Sequence, residues 1–139
     1  MPLKILLPIG PYTSITPILD LDKYICDFKH SEITIFSVIE IPFVTSLEQD
    51  EIKRLDIYTL IKSRIDEVVK ILDDMGVSSK VKIVYSRSVD EAIVEEALSG
   101  QYDLIVLIKR RKPPRILGKS ISRSVLSKIP VPLLILTMD

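Results

Sequence analysis

Cysteine occurs once in this 139-residue chain, at Cys26, and histidine once, at His30. A single cysteine excludes an internal disulfide and a four-cysteine zinc site, and it is the usage expected of a reducing, cytoplasmic compartment. With a single thiol and a single imidazole, no Ser–His–Asp or Cys–His scheme is laid out, and no catalytic activity is expected. Long apolar runs are missing too. None approaches the roughly 20 residues that span a bilayer, and Pro8 interrupts the apolar N-terminal run before a signal-peptide core is complete. Asparagine is absent and glutamine occurs twice, while Ile, Lys and Glu are abundant, a usage that leans toward a thermophilic source. Nor does one sign of charge dominate. Nineteen basic and nineteen acidic residues cancel, so nothing global advertises nucleic acid or an anionic membrane.

What is present is apolar patterning, with 47% hydrophobic residues, enough for one compact domain, 1–139, with a real core. Lys4 to Ile9 is a short β-branched and leucine-rich run closed by Pro8, Gly10 and Pro11, the pattern of a buried parallel strand ending in a turn. From Thr13 to about Phe28 the apolar positions Ile15, Ile18, Leu19, Ile25 and Phe28 recur at helical spacing. Thr13 or Ser14 is available to cap that helix, and Pro17 falls in its first turn. Ile33 to Ile39 is a second strand, stopped by Pro42. A long helix follows the polar stretch Ser46 to Asp50, with the stripe Ile61, Ile65, Val68, Leu72, Met75 and Gly76 placed for a left-handed cap.

Lys80 to Tyr85 alternates as a third strand. Ser88-Val-Asp-Glu91 has capping-box spacing ahead of a helix from Ala92 to Leu98 closed by Gly100. Asp103 to Ile108 is a fourth strand. A basic, proline-containing stretch, Lys109 to Lys119, leads into a short helix beginning near Ser120, which Pro130-Val-Pro132 ends before a last strand, Leu133 to Leu136. Strands alternating with helices, with no hairpin signal, predict an α/β domain: an open doubly wound sheet of five parallel strands with right-handed crossovers. Ligands of such sheets sit at the carboxyl ends of the strands.

In this order and over essentially the whole length, three passages resemble the universal stress protein family. They are Tyr85-Ser-Arg-Ser-Val-Asp-Glu-Ala-Ile93, similar to the family's strand, Gly-x-Pro-x-x-Ala-Ile helix; Asp103-Leu-Ile-Val; and Ser120 to Leu136, ending in Val-Pro-Leu-Leu-Ile-Leu. The resemblance implies a Rossmann-like fold of the adenine nucleotide alpha hydrolase type. It also implies a non-enzymatic stress-response or regulatory role and a homodimer paired through the last strand, Val131 to Leu136, an uncharged edge that otherwise invites uncontrolled pairing.

Family members divide into those that bind ATP and those that do not. The resemblance places the dividing residues at Pro8, Ile9 and Gly10, at Val38, and at Ile108, Arg110, Arg111, Lys119, Ser120, Ile121 and Ser122. An Asp at the end of the first strand usually receives the adenine or ribose; here Gly10 stands there. ATP-binding members carry Gly-x-x-Gly, nine residues, then Gly-Ser or Gly-Thr, because glycines let phosphate oxygens approach backbone N–H groups. This chain has Ile108 and Arg111 at the first two glycine positions, Lys119-Ser120 at the last pair, and a loop about two residues shorter. Pro113-Pro114 removes two backbone donors from it. ATP is therefore expected to be lost as a ligand, or held weakly.

Against that stands charge. Lys109, Arg110, Arg111, Lys112, Arg115, Lys119, Arg123 and Lys128 place eight cations between residues 109 and 128, leaving eleven basic against nineteen acidic residues elsewhere. Three readings follow: a solvated edge that aids solubility, an anion site beside the last helix in which basic side chains hold nucleotide phosphates in place of glycine backbone, or a contact with nucleic acid or an anionic membrane. The last is not favoured, because Tyr102 is the nearest aromatic and stacking partners are missing. Ser120 is read first as a helix cap and second as a phosphate contact. Gly10, between Pro8 and Pro11, is read as a tight turn. Cys26 is expected within a helix as a small core residue, His30 in a surface connection, and Asp73-Asp74 and Glu95-Glu96 as divergent helix carboxylates of no joint use.

Overall fold

The computed structural model describes residues 2–41, 47–110, 127–129 and 131–138, with backbone alone for 47–55, 110 and 138. Five strands form one sheet: β1 (Lys4–Pro8), β2 (Glu32–Glu40), β3 (Ser78–Ser86), β4 (Leu104–Arg110) and β5 (Leu133–Met138). Every pairing is parallel and the order is β3-β2-β1-β4-β5. This is the five-stranded doubly wound sheet that the alternation of strands and helices predicts.

Alternation along the strands sends apolar side chains to two clusters, one on each face. Ile5, Leu7, Ile9, Ile33, Ile35, Ile39 and Val106 pack with the stripe Ile61, Ile65, Val68 and Leu72 of α2 (Leu47–Asp74). Leu6, Phe36, Val38, Ile105 and Leu107 pack on the other face with Ala92, Ile93 and Ala97 of α3 (Val89–Ser99). Both faces are covered because each crossover packs its apolar side on the sheet. Among the described residues no helix is long and apolar enough to cross a membrane.

Two of the caps read from sequence hold, those at Ser88 and Gly76. Ser88 Oγ accepts the Glu91 N–H at 3.2 Å, closing the first turn of α3. Gly76 has φ +76°, and with the Val77 N–H on Leu72 O at 2.9 Å it ends α2, a reversal that a residue with a Cβ adopts only under strain.

The expected helix over Thr13 to Phe28 is not continuous. It is a 3-10 turn at Thr16–Asp20, a four-residue helix α1 (Leu21–Tyr24) and a second 3-10 turn at Phe28–His30. Pro17 does sit in the first turn. Thr13, however, caps nothing; its Oγ1 accepts the Gly10 N–H at 2.7 Å. The break comes at Ile25, which is extended (φ −119°, ψ 115°), and at Asp27, which is left-handed (φ 58°, ψ 37°). Of the expected apolar positions Ile18, Ile25 and Phe28 reach the core nonetheless, but Leu19 is exposed and Leu21 is buried in its place, so the helical spacing holds only in part. Cys26 is accordingly exposed in the break and not a helical core residue.

Candidate functional site at the carboxyl edge of the sheet

From β1 the chain steps outward one way to β2 and β3, and from β4 the other way to β5, so the topological switch lies between β1 and β4, where such sheets bind ligands. The two strands part there. Their pairing covers only Ile5–Leu104 and Leu6–Ile105, whereas β1 stays on β2 to Pro8–Phe36 and β4 stays on β5 to Arg110–Met138. Proline chemistry explains the parting. The Ile9 N–H donates to Phe36 O at 2.8 Å, on the β2 side, so by strand alternation the amide of residue 8 faces β4. Pro8 has no hydrogen to give there, and the ladder stops.

On the β1 lip, backbone groups of Ile9, Gly10 and Pro11 are already bonded. Ile9 O accepts Ser37 Oγ at 2.6 Å in a buried bond. Gly10 donates to Thr13 Oγ1, and its carbonyl accepts the Thr13 N–H at 3.3 Å. Pro11 O accepts Arg64 Nε from α2 at 3.4 Å. Gly10 is thus the start of a tight turn, as its flanking prolines suggest, although its φ is not in the left-handed region. A Cβ built there would meet Thr13 Oγ1 at an ordinary 3.4 Å. The turn tolerates a side chain, so the missing carboxylate is not a steric necessity.

On the β4 lip, Ile108 is half-buried against the α2-side cluster, and Lys109 and Arg110 complete the strand. Val38 is buried in the other cluster, beside Leu6 and Phe36. The side chains of Val38 and Ile108 therefore lie on opposite faces, and the structure does not bring them together. It does bring Pro8, Ile9 and Gly10 to the parting of β1 from β4. Arg111, Lys119, Ser120, Ile121 and Ser122 lie outside the described residues.

The sequence reading missed Thr13, Ser37 and Arg64. Thr13, three residues after Gly10, had turn spacing that could have been read. Ser37 and Arg64 come from β2 and α2, and nothing local marks them. Among the described residues no group of three His, Cys, Asp or Glu side chains could hold a metal ion.

Comparison with known proteins fits this architecture. The hypothetical protein MJ0577 superposes with a TM-score of 0.78 at 22% identity, covering 98% of this chain and 96% of that one. The universal stress protein UspA from Lactobacillus plantarum gives 0.74 at 14% identity, covering 96% and 97%. A universal stress protein family protein from Arabidopsis thaliana with AMP bound gives 0.69 at 14%, covering 99% and 93%. At these identities the likeness is one of fold. No curated protein sequence matches the chain. The sequence profile of the universal stress protein family matches residues 27–137, and the chain belongs to that family.

Proposed function

We propose that the chain is a non-catalytic regulatory domain of the stress-protein type, with ATP binding lost or weakened, working as a homodimer in the cytoplasm. One observation carries the loss of ATP: the β1 lip carries Gly10 where a carboxylate would meet a nucleoside, and backbone groups of Ile9, Gly10 and Pro11 are already bonded to Thr13, Ser37 and Arg64. A nucleoside would have to break these bonds and make no better ones, and unpaired polar groups in a crevice are costly. Ile108, β-branched and half-buried at the β4 lip, supports the same reading.

The homodimer is supported by an asymmetry between the two edges of the sheet. The β3 edge carries Lys80 and Lys82, whereas Leu133–Met138 at the β5 edge has no charged residue. Lysines on an edge discourage pairing, and an uncharged edge invites it. Two-fold pairing would satisfy β5 without leaving a further edge.

A second reading has a specific support. Lys109 and Arg110 end β4 at the mouth and open the run of eight cations, and the Arabidopsis relative holds AMP. On this reading basic side chains hold a nucleotide by its phosphates. Calorimetric titration with ATP, AMP and inorganic phosphate, each with and without Mg²⁺, decides. Micromolar binding that requires adenine supports the second reading; no binding, or equal weak binding of every anion, supports the first.

A further inference from the structure

A second concavity lies at the opposite, amino-terminal edge of the sheet, and it exists because the helix predicted over Thr13 to Phe28 is broken. The chain turns out of the helical path at Ile25 and at the left-handed Asp27, so that the Tyr24–Asp27 segment runs beside Leu3 and Leu104 at the starts of β1 and β4. Between them opens a cavity of about 840 Å³ whose floor is Leu3, Ile25 and Leu104. That volume is within the range of small-molecule sites. The departure from the local helical pattern is itself informative, since positions where a chain breaks its own sequence rule are enriched in function.

The rim is chemically selective. Asp27 Oδ1 lies 2.6 Å from His30 Nδ1, and the His30 N–H donates to Asp27 O at 3.0 Å, fixing both residues at the opening. In the neutral tautomer whose Nδ1–H faces the carboxylate, His30 presents Nε2 as an acceptor, and Asp27 has a second oxygen for a further donor. Among the described residues no lysine or arginine lines the cavity. A floor of aliphatic carbon below a carboxylate and an imidazole suits an apolar body carrying an ammonium group, and opposes an anion.

We propose that this cavity binds a small organic amine with an apolar body, its ammonium on Asp27 and its hydrocarbon on Leu3, Ile25 and Leu104. The site is separate from the carboxyl edge and takes ligands of opposite charge. It does not depend on the reading of the nucleotide site.

Cys26 lines the cavity and is the chain's single thiol, so it serves as the reporter. The rate of its reaction with an aromatic disulfide reagent is measured with 2-phenylethylamine, 2-phenylethanol or phenylacetate present, and with ATP as a control for the opposite edge. At about three times its dissociation constant the amine should slow the reaction about fourfold by mass action, with the alcohol weaker and phenylacetate and ATP without effect. Asp27→Asn, which keeps a residue at ease in the left-handed region, should erase the preference for amine over alcohol. Tyr24→Ala, which trims an exposed wall, should weaken both while the thermal melt stays unchanged. Equal protection by phenylacetate, protection by none of the three, or an unaltered amine preference in Asp27→Asn overturns the proposal.

Discussion

The phenol of Tyr102 donates to Glu96 Oε2 at 2.7 Å, reaching back over the end of α3 to a carboxylate that also takes Lys82 Nζ on Oε1 at 2.7 Å. The ring lies so close to Gly100 that a Cβ there would be 2.1 Å from Tyr102 Cε2 and 2.8 Å from Glu96 O. Gly100→Ala should therefore cost about 1–3 kcal/mol through overpacking, read as a lower urea midpoint with unchanged slope. Tyr102→Ala should recover only part of this, because the carbonyl contact remains. Full tolerance of Gly100→Ala would mean that the ring does not sit over the glycine.

The ion pair is lopsided, and the two halves should behave differently. Lys82 keeps about half of its side chain exposed, 52%, against 9% for Glu96. Lys82→Ala removes a largely solvated charge and should cost less than about 1 kcal/mol. Glu96→Ala takes the carboxylate from both Lys82 and Tyr102 and leaves the Tyr102 hydroxyl with Thr34 alone, so about 1–3 kcal/mol is expected. Equal losses in the two variants would show that the network acts through the lysine.

Tyr102 also gives a pH signature. Burial first, and then its bond to Glu96, raise its pKa from an ordinary 10.0 to about 12. The folded state thus keeps a proton that the unfolded chain gives up. This contribution is complete below pH 10, is lost as pH rises toward 12, and changes no further above that. Wild-type stability should fall across that window more steeply than that of Tyr102→Phe, as followed by urea midpoints at stepped pH.

Much of this fold could be read along the chain. The stripe Ile61, Ile65, Val68 and Leu72 is buried as its spacing requires, and the Ser88 cap and the Gly76 reversal stand where local rules put them, since each is decided within a few residues. The break at Ile25–Asp27 was not legible, because its apolar positions fit a helix and only packing against the sheet decides otherwise. Glu96 read as one of two divergent helix carboxylates; its divergence is real, but its burial depends on Lys82, fourteen residues away on another element. At the candidate site, the replacement of a carboxylate by Gly10 was visible in the sequence. The closure of the lip by Ser37 and Arg64 was not, because those contacts span 28 and 53 residues.

Gly10 offers a direct test of what the β1 lip lacks. A Cβ fits there at 3.4 Å from Thr13 Oγ1 and no positive φ stands in the way, so Gly10→Asp should fold with a stability change within about 1 kcal/mol. If lip closure and Ile108 also block the nucleoside, the variant should still show no micromolar ATP binding by calorimetry. Micromolar binding in this single variant would locate the defect in the missing carboxylate alone.

The proposed dimer can be tested without disturbing the protomer. The Ile105 N–H donates to Pro132 O at 3.0 Å and Ile105 pairs with Leu133, so Pro132 and Leu134 turn their backbone groups toward β4. By the same alternation the amides of Leu133, Ile135 and Thr137 face away from the sheet. Thr137→Pro therefore removes a donor from the outer edge and none from the β4–β5 ladder, a placement that edge strands accept. Sedimentation velocity at micromolar concentration should show a dimer for the wild type and a monomer for Thr137→Pro, with matching far-ultraviolet spectra. A wild-type monomer would remove the dimer from the functional reading, and a dimeric Thr137→Pro would move the interface off this edge.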